Sequence, residues 1–124
     1  MNFLQKKQFV SANMRKCVFG TRWSKGCNFS PGNSDEHEDA KWELYKYARR
    51  KKWMVGTEVE FVQGGRADLY LPEFDLAVEV VYSESLGSIK EKEGVYPVEE
   101  IRVFDAKVKD GFVERVEELF FGLE

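Results

Sequence analysis

Two carboxylates stand where carboxylates are expensive. Asp68 lies in Arg66-Ala67-Asp68-Leu69-Tyr70-Leu71 and Glu79 in Leu76-Ala77-Val78-Glu79-Val80-Val81, both apolar runs. Burying an ionised carboxyl costs several kcal/mol unless it is paired or holds a metal ion. If the chain turns back at Glu73-Phe74, residues whose numbers sum to 147 face one another, so Leu71 meets Leu76, Tyr70 meets Ala77 and Asp68 meets Glu79. Side chains directly opposed across two strands sit about 5 Å apart, close enough for both carboxylates to bind one divalent cation. A slip of one residue would send Glu79 to the other face, so the register is itself a test. The alternative is an arginine partner, and Arg66 falls opposite Val81 in the same register.

The elements that must position these groups read as follows. Ser34 is a helix N-cap, with Asp35, Glu36, Glu38 and Asp39 in the first turns and Arg49-Arg50-Lys51-Lys52 at the end. That order of charges suits the helix dipole and predicts a helix over residues 35–52. At about 100° per residue its apolar face is Ala40, Leu44 and Tyr47. Glu36 and Glu43 line one edge of that face, His37 and Lys41 the other. Trp42, Tyr45 and Arg49 point away from it, towards bases, phosphates or another subunit. Glu43 and Lys41 are the stronger functional candidates, because capping and dipole effects already account for Glu36 and His37.

Residues 54–62 alternate as a half-buried strand, Gln63-Gly64-Gly65 turns the chain, and 66–71 and 75–82 form two more strands, the last of them central. A short helix or helical loop over 83–92, a strand over 100–104 and a final helix capped by Asp110 complete the order α-β-β-β-α-β-α. In that last helix Phe112, Val113, Val116, Leu119 and Phe120 recur at helical spacing. The expectation is a single α/β domain with a mixed central sheet flanked by helices. Residues 1–33 are a basic, aromatic segment without assignable structure, and 34–124 form the α/β domain proper.

These motifs, in this order, resemble the PD-(D/E)xK nuclease superfamily. The likeness covers about residues 34–104 and is nearest in pattern to the competence CoiA-like proteins and the archaeal Holliday-junction resolvases. It rests on Ser34-x-x-His37-x-x-x-Lys41, Glu58 or Glu60, then Arg66-Ala67-Asp68, Glu79 and Tyr82-Ser83-Glu84-Ser85. The resemblance implies a restriction-endonuclease-like core and hydrolysis of phosphodiester bonds in DNA. Asp68 and Glu79 would hold Mg²⁺ or Mn²⁺, helped by Glu43 or Glu36. The lysine usual two residues beyond the strand glutamate is replaced by Val81; Lys41, Arg66, Lys90 or Lys92 are its substitutes, with Lys41 and Lys92 the best placed. Two alternatives remain open: a nuclease-like module that binds nucleic acid without cleaving it, and an unrelated interaction protein.

Composition bounds these readings. The 124 residues suit one domain, and 43% apolar residues suffice for a core. The formal charge of -3 conceals a gradient: residues 1–52 carry 12 cations against 5 carboxylates, leaving -10 for 53–124. A basic surface for a polyanion therefore stands beside an acidic region. Arg15, Lys16, Arg22, Lys25, Arg49, Arg50, Lys51 and Lys52 are its candidate phosphate contacts, with possible homodimers open by symmetry. Cys17, Cys27 and the single His37 make a poor zinc set. The N-terminal residues lack the apolar run of a secretory signal and no window suits a membrane span, so the expectation is an intracellular, reduced protein.

Overall fold

The computed structural model describes residues 1–82, 95–108 and 110–123. Among them are three helices, α1 (Phe3–Met14), α2 (Asp35–Arg50) and α3 (Phe112–Leu119), and four strands, β1 (Gly56–Glu60), β2 (Arg66–Leu71), β3 (Leu76–Val81) and β4 (Glu100–Asp105). The result is a small α/β domain on one open mixed sheet. Its strands lie in sequence order, antiparallel from β1 to β3 and parallel from β3 to β4. The helix or helical loop expected over 83–92, with Lys90 and Lys92, lies outside the described residues.

The β2–β3 hairpin has the register the apolar pattern requires, with Leu71 on Leu76, Tyr70 on Ala77 and Leu69 on Val78. Leu76, Val78 and Val80 enter the larger core beneath α2 and α3, whereas Ala77 enters a smaller core on the other face with Cys17, Val59, Phe61, Ala67, Tyr70 and Tyr96. A half-buried antiparallel sheet commonly has one wet face; here both faces of the hairpin are covered.

Ser34 caps α2 as expected, its hydroxyl accepting from the His37 amide at 3.1 Å. The buried stripe differs from the wheel. Ala40 and Leu44 are in it, but so are His37, Glu38, Lys41, Tyr45 and Ala48. Tyr47 is only partly buried, stacked on Phe120 at 5.2 Å. Tyr45, expected to point away from the core, is 1% exposed. Cys27, from the N-terminal segment, packs against the same core, and helical periodicity cannot reveal a flank covered by distant chain. At α3 the N-cap is Gly111 in the left-handed region (φ 66), not Asp110, and Val113 stays at the surface.

Residues 1–33 acquire structure by docking on the sheet. Asn2 and Gln5 form a capping box that starts α1. In the last turn of α1 Asn13 donates to the Pro72 carbonyl at 2.9 Å, and beyond the helix Cys17 bridges Phe61 next to β1. Val18 N–H to Glu60 O (2.9 Å) and Val62 N–H to Lys16 O (2.8 Å) occupy backbone groups along the outer edge of β1. Such an edge would otherwise be a template for pairing with another chain.

Candidate active site

Three carboxylates lie in line across neighbouring strands. The β1–β2 pairs Thr57–Leu69 and Val59–Ala67 bracket Glu58 and Asp68, and the β2–β3 register ends at Leu69–Val78, the residues next to Asp68 and Glu79. At this step the Val80 amide donates to Asp68 Oδ2 at 2.7 Å, so the aspartate side chain takes a backbone donor at the end of the hairpin ladder. The Asp68 carboxylate is also in hydrogen-bond contact with Glu79. Two touching carboxylates must share a proton or a cation. Glu79 is 2% exposed, and its Oε1 lies 2.6 Å from Tyr96 Oη. That hydroxyl also reaches the Arg66 carbonyl, and with one proton it donates to one of the two.

The N-terminal half of α2 lays its polar side chains on this line. His37 Nε2 stands 3.3 Å from Asp68 Oδ2. Burial works to depress the His37 pKa, but the Asp68 hydrogen bond and negative charge outweigh it and the net shift is upward. Asp68 responds in kind: burial works to raise its pKa, and His37 and the Val80 amide bring it below the usual carboxylate value. Lys41 is wholly buried, its Nζ between Glu38 Oε2 (2.8 Å) and Glu58 Oε1 (2.9 Å). Asn33 donates to Glu38 Oε1 at 2.7 Å and reaches Glu58 Oε1 at 3.3 Å. Glu58 occupies the left-handed region (φ 49), a conformation that costs on the order of 1–3 kcal/mol and that these contacts hold in place.

Among the described residues the cluster thus joins Glu38, Glu58, Asp68 and Glu79 to one permanent cation, Lys41, and one titrating one, His37. His37 Nδ1 is buried with no hydrogen-bond partner among the described residues. Asp68 and Glu79 offer the kind of oxygen donors that a divalent cation takes, since Mg²⁺ takes one or two carboxylates and keeps waters or phosphate oxygens as its other ligands. No group of three or more His, Cys, Asp or Glu side chains among the described residues is gathered as a ready-made metal cage.

Of the residues singled out from sequence, His37, Lys41, Asp68 and Glu79 come together. Glu43 does not join them: its carboxylate pairs with Lys46 at 2.8 Å on the outer flank of α2. Glu38 and Glu58 stand nearer the pair instead. Glu36 stays in the first turn of α2, and Arg66 turns outward to Glu60 at 2.7 Å, so it is no buried partner for either carboxylate. Lys92 lies outside the described residues. Glu38 was hidden as an ordinary first-turn acid; its signal was the i,i+3 spacing to Lys41. Tyr96 carried no signal, since only the tertiary structure brings it to Glu79.

The cations divide. Lys16 binds both oxygens of Asp75, at 3.0 and 3.2 Å, and so neutralises a buried acid. Arg15, Arg22 and Lys25 are exposed, as are Arg49, Arg50, Lys51 and Lys52. The last four sit at the far end of α2, about 20 Å from His37 at 1.5 Å per residue. No helix among the described residues is long and apolar enough to cross a membrane. Comparison with protein-family models, with curated proteins and with solved structures found no match.

Proposed function

We propose that the protein is a metal-dependent nuclease of the PD-(D/E)xK type, hydrolysing phosphodiester bonds in DNA. The observation that carries this reading is the contact between Asp68 and Glu79 at the end of the hairpin ladder, beneath the polar half of α2. In this reading Asp68 and Glu79 hold Mg²⁺ or Mn²⁺, and the bound ion lowers the pKa of a water and offsets charge on the scissile phosphate. His37 and the Val80 amide fix the Asp68 carboxylate, and Tyr96 orients Glu79. Lys41 pairs with Glu38 and Glu58 beside these two carboxylates and holds the Glu38 pKa down.

A second reading, a nuclease-like module that binds without cleaving, draws on two observations. Val81 stands where such nucleases carry a lysine, and Lys41 is enclosed by two carboxylates and does not face Asp68. Incubation with Mg²⁺ or Mn²⁺ on duplex, single-stranded and branched DNA decides between them. The nuclease reading expects cleavage that Asp68→Ala and Glu79→Ala abolish. Cleavage surviving both substitutions would sink the proposed site, and binding without cleavage by the unaltered protein would favour the module.

A further inference from the structure

The outward flank of α2 carries a second surface, distinct in chemistry from the carboxylate cluster. Trp42 is 46% exposed and stacks on Tyr45, with ring centroids 5.7 Å apart and planes 20° from parallel. Lys46 Nζ lies 5.4 Å from the Trp42 ring centre and the Arg49 guanidinium 5.9 Å from that of Tyr45. With Arg50 these residues line a shallow depression of about 380 Å³. The Tyr45 hydroxyl is buried and has no hydrogen-bond partner among the described residues. Among the described residues only Lys46 of the three cations has a carboxylate partner, Glu43.

We propose that this flank binds unpaired nucleic acid, a base stacking on Trp42 and the backbone phosphates meeting Lys46, Arg49 and Arg50. Charge selects a polyanion, and the exposed aromatic face selects one whose bases are free to stack. A base pair inside a duplex offers its groove edges and not its faces. Aromatic platforms interleaved with cations are the general solution for single strands. Lys46 now lies over the indole ring; its half-exposed side chain can move to a phosphate when a base arrives. The span from Trp42 to Arg50 is about 12 Å along the helix, room for roughly three or four nucleotides at a stacked spacing near 3.4 Å.

Trp42 also borders a second depression, lined by Phe29, Cys27, Glu38 and Asp39, which leads towards the carboxylate cluster. Only this direction of the strand rests on the nuclease reading. The sign of the surface changes at Asp39, so a strand held in the absence of a divalent cation should occupy the basic half alone.

The test is binding of the intact chain to a labelled (dT)8 and to an eight-base-pair duplex, at low salt with EDTA present. The single strand should bind more tightly and should quench tryptophan fluorescence, since Trp23 and Trp53 are the more sheltered indoles. Trp42→Ala should weaken (dT)8 binding about tenfold, with Trp42→Phe retaining most of it. Equal affinity for duplex, absence of quenching, or unchanged binding by Trp42→Ala would each overturn the proposal. Tight single-strand binding without Mg²⁺-dependent cleavage would uphold it while removing the nuclease reading. Cleavage that is indifferent to Trp42 would do the reverse.

Discussion

Lys41 shows how one side chain governs the polarity of the whole cluster. Burial works to lower its pKa, but Glu38 and Glu58 together raise it; Glu38, which burial works to raise, is drawn down by Lys41 and Asn33. Removing the ammonium leaves two carboxylates without their counter-ion, so Lys41→Met should destabilise the fold by about 3–5 kcal/mol in denaturant titrations. The pH dependence follows from the same shifts. A depressed Glu38 contributes stability above its ordinary pKa of 4.5 and loses it as pH falls through the lowered value. A raised Lys41 contributes below 10.5 and loses it only as pH rises through its higher value. The pair therefore supports the fold across the neutral range, and the deficit in melting temperature of Lys41→Met against the unaltered protein should be largest there and shrink as pH falls through the Glu38 titration. Cys17 gives a simpler residue-level expectation. Burial pushes its thiol up to about 11, so a thiol reagent at neutral pH should label it only after denaturant is added.

At the scale of elements, the β2–β3 turn is the joint that locks three parts of the chain. Asp75, in the left-handed region (φ 47), accepts from Tyr70 Oη at 2.6 Å, from Lys16 Nζ at 3.0 Å and from the Glu99 amide at 3.1 Å. It ties the hairpin to the N-terminal segment and to the start of β4. Asp75→Ala should cost about 2–3 kcal/mol in unfolding free energy, because the Tyr70 hydroxyl and the Lys16 ammonium lose a charged acceptor together. A second joint is Gly65, which has φ 90 and whose missing Cβ leaves room for the Tyr96 ring; a Cβ there would lie 2.5 Å from a ring carbon. Gly65→Ala should displace Tyr96 from Glu79 and lower the melting temperature, while the Tyr96→Phe protein keeps the ring and loses only the hydroxyl contact. Equal melting temperatures for Gly65→Ala and the unaltered protein would contradict this account of Tyr96. The strands themselves were legible because apolar alternation and a short turn leave only one register in which both core faces are filled. The α1 helix and its docked continuation were not, since α1 has no apolar stripe and buries only Asn13.

Over the whole molecule, the charge gradient along the chain becomes a gradient in space. Four exposed cations, Arg49 to Lys52, end α2 while the carboxylates gather near its beginning, so under the proposed function a phosphate backbone would be attracted at one end and would need a cation at the other. If those four each neutralise a phosphate, log binding constant should fall against log salt with a slope of about −3 for a single strand. Replacing Arg49 and Arg50 by Gln should reduce that slope by about half, as read by titration at several salt concentrations. A slope near zero would remove the electrostatic assignment. Lys16 should contribute nothing to it, being held by Asp75, and its replacement should appear as lost stability.

The sequence alone determined what local periodicity and chain reversal can encode: a capped helix with its charges in dipole order, the strands around a tight hairpin, and the register that pairs Leu69 with Val78. These follow from side-chain spacing within a few residues. What only the tertiary structure decided is which distant groups complete the cluster and which surface they leave open. Glu58 arrives from β1, Tyr96 from beyond β3, and Tyr45 is buried with Cys27 on the same core, because packing of separate elements, not any repeat along the chain, sets those neighbours. The same packing sent Glu43 and Arg66 to surface partners, since a helix wheel fixes angles about an axis but not how the axis lies on the sheet.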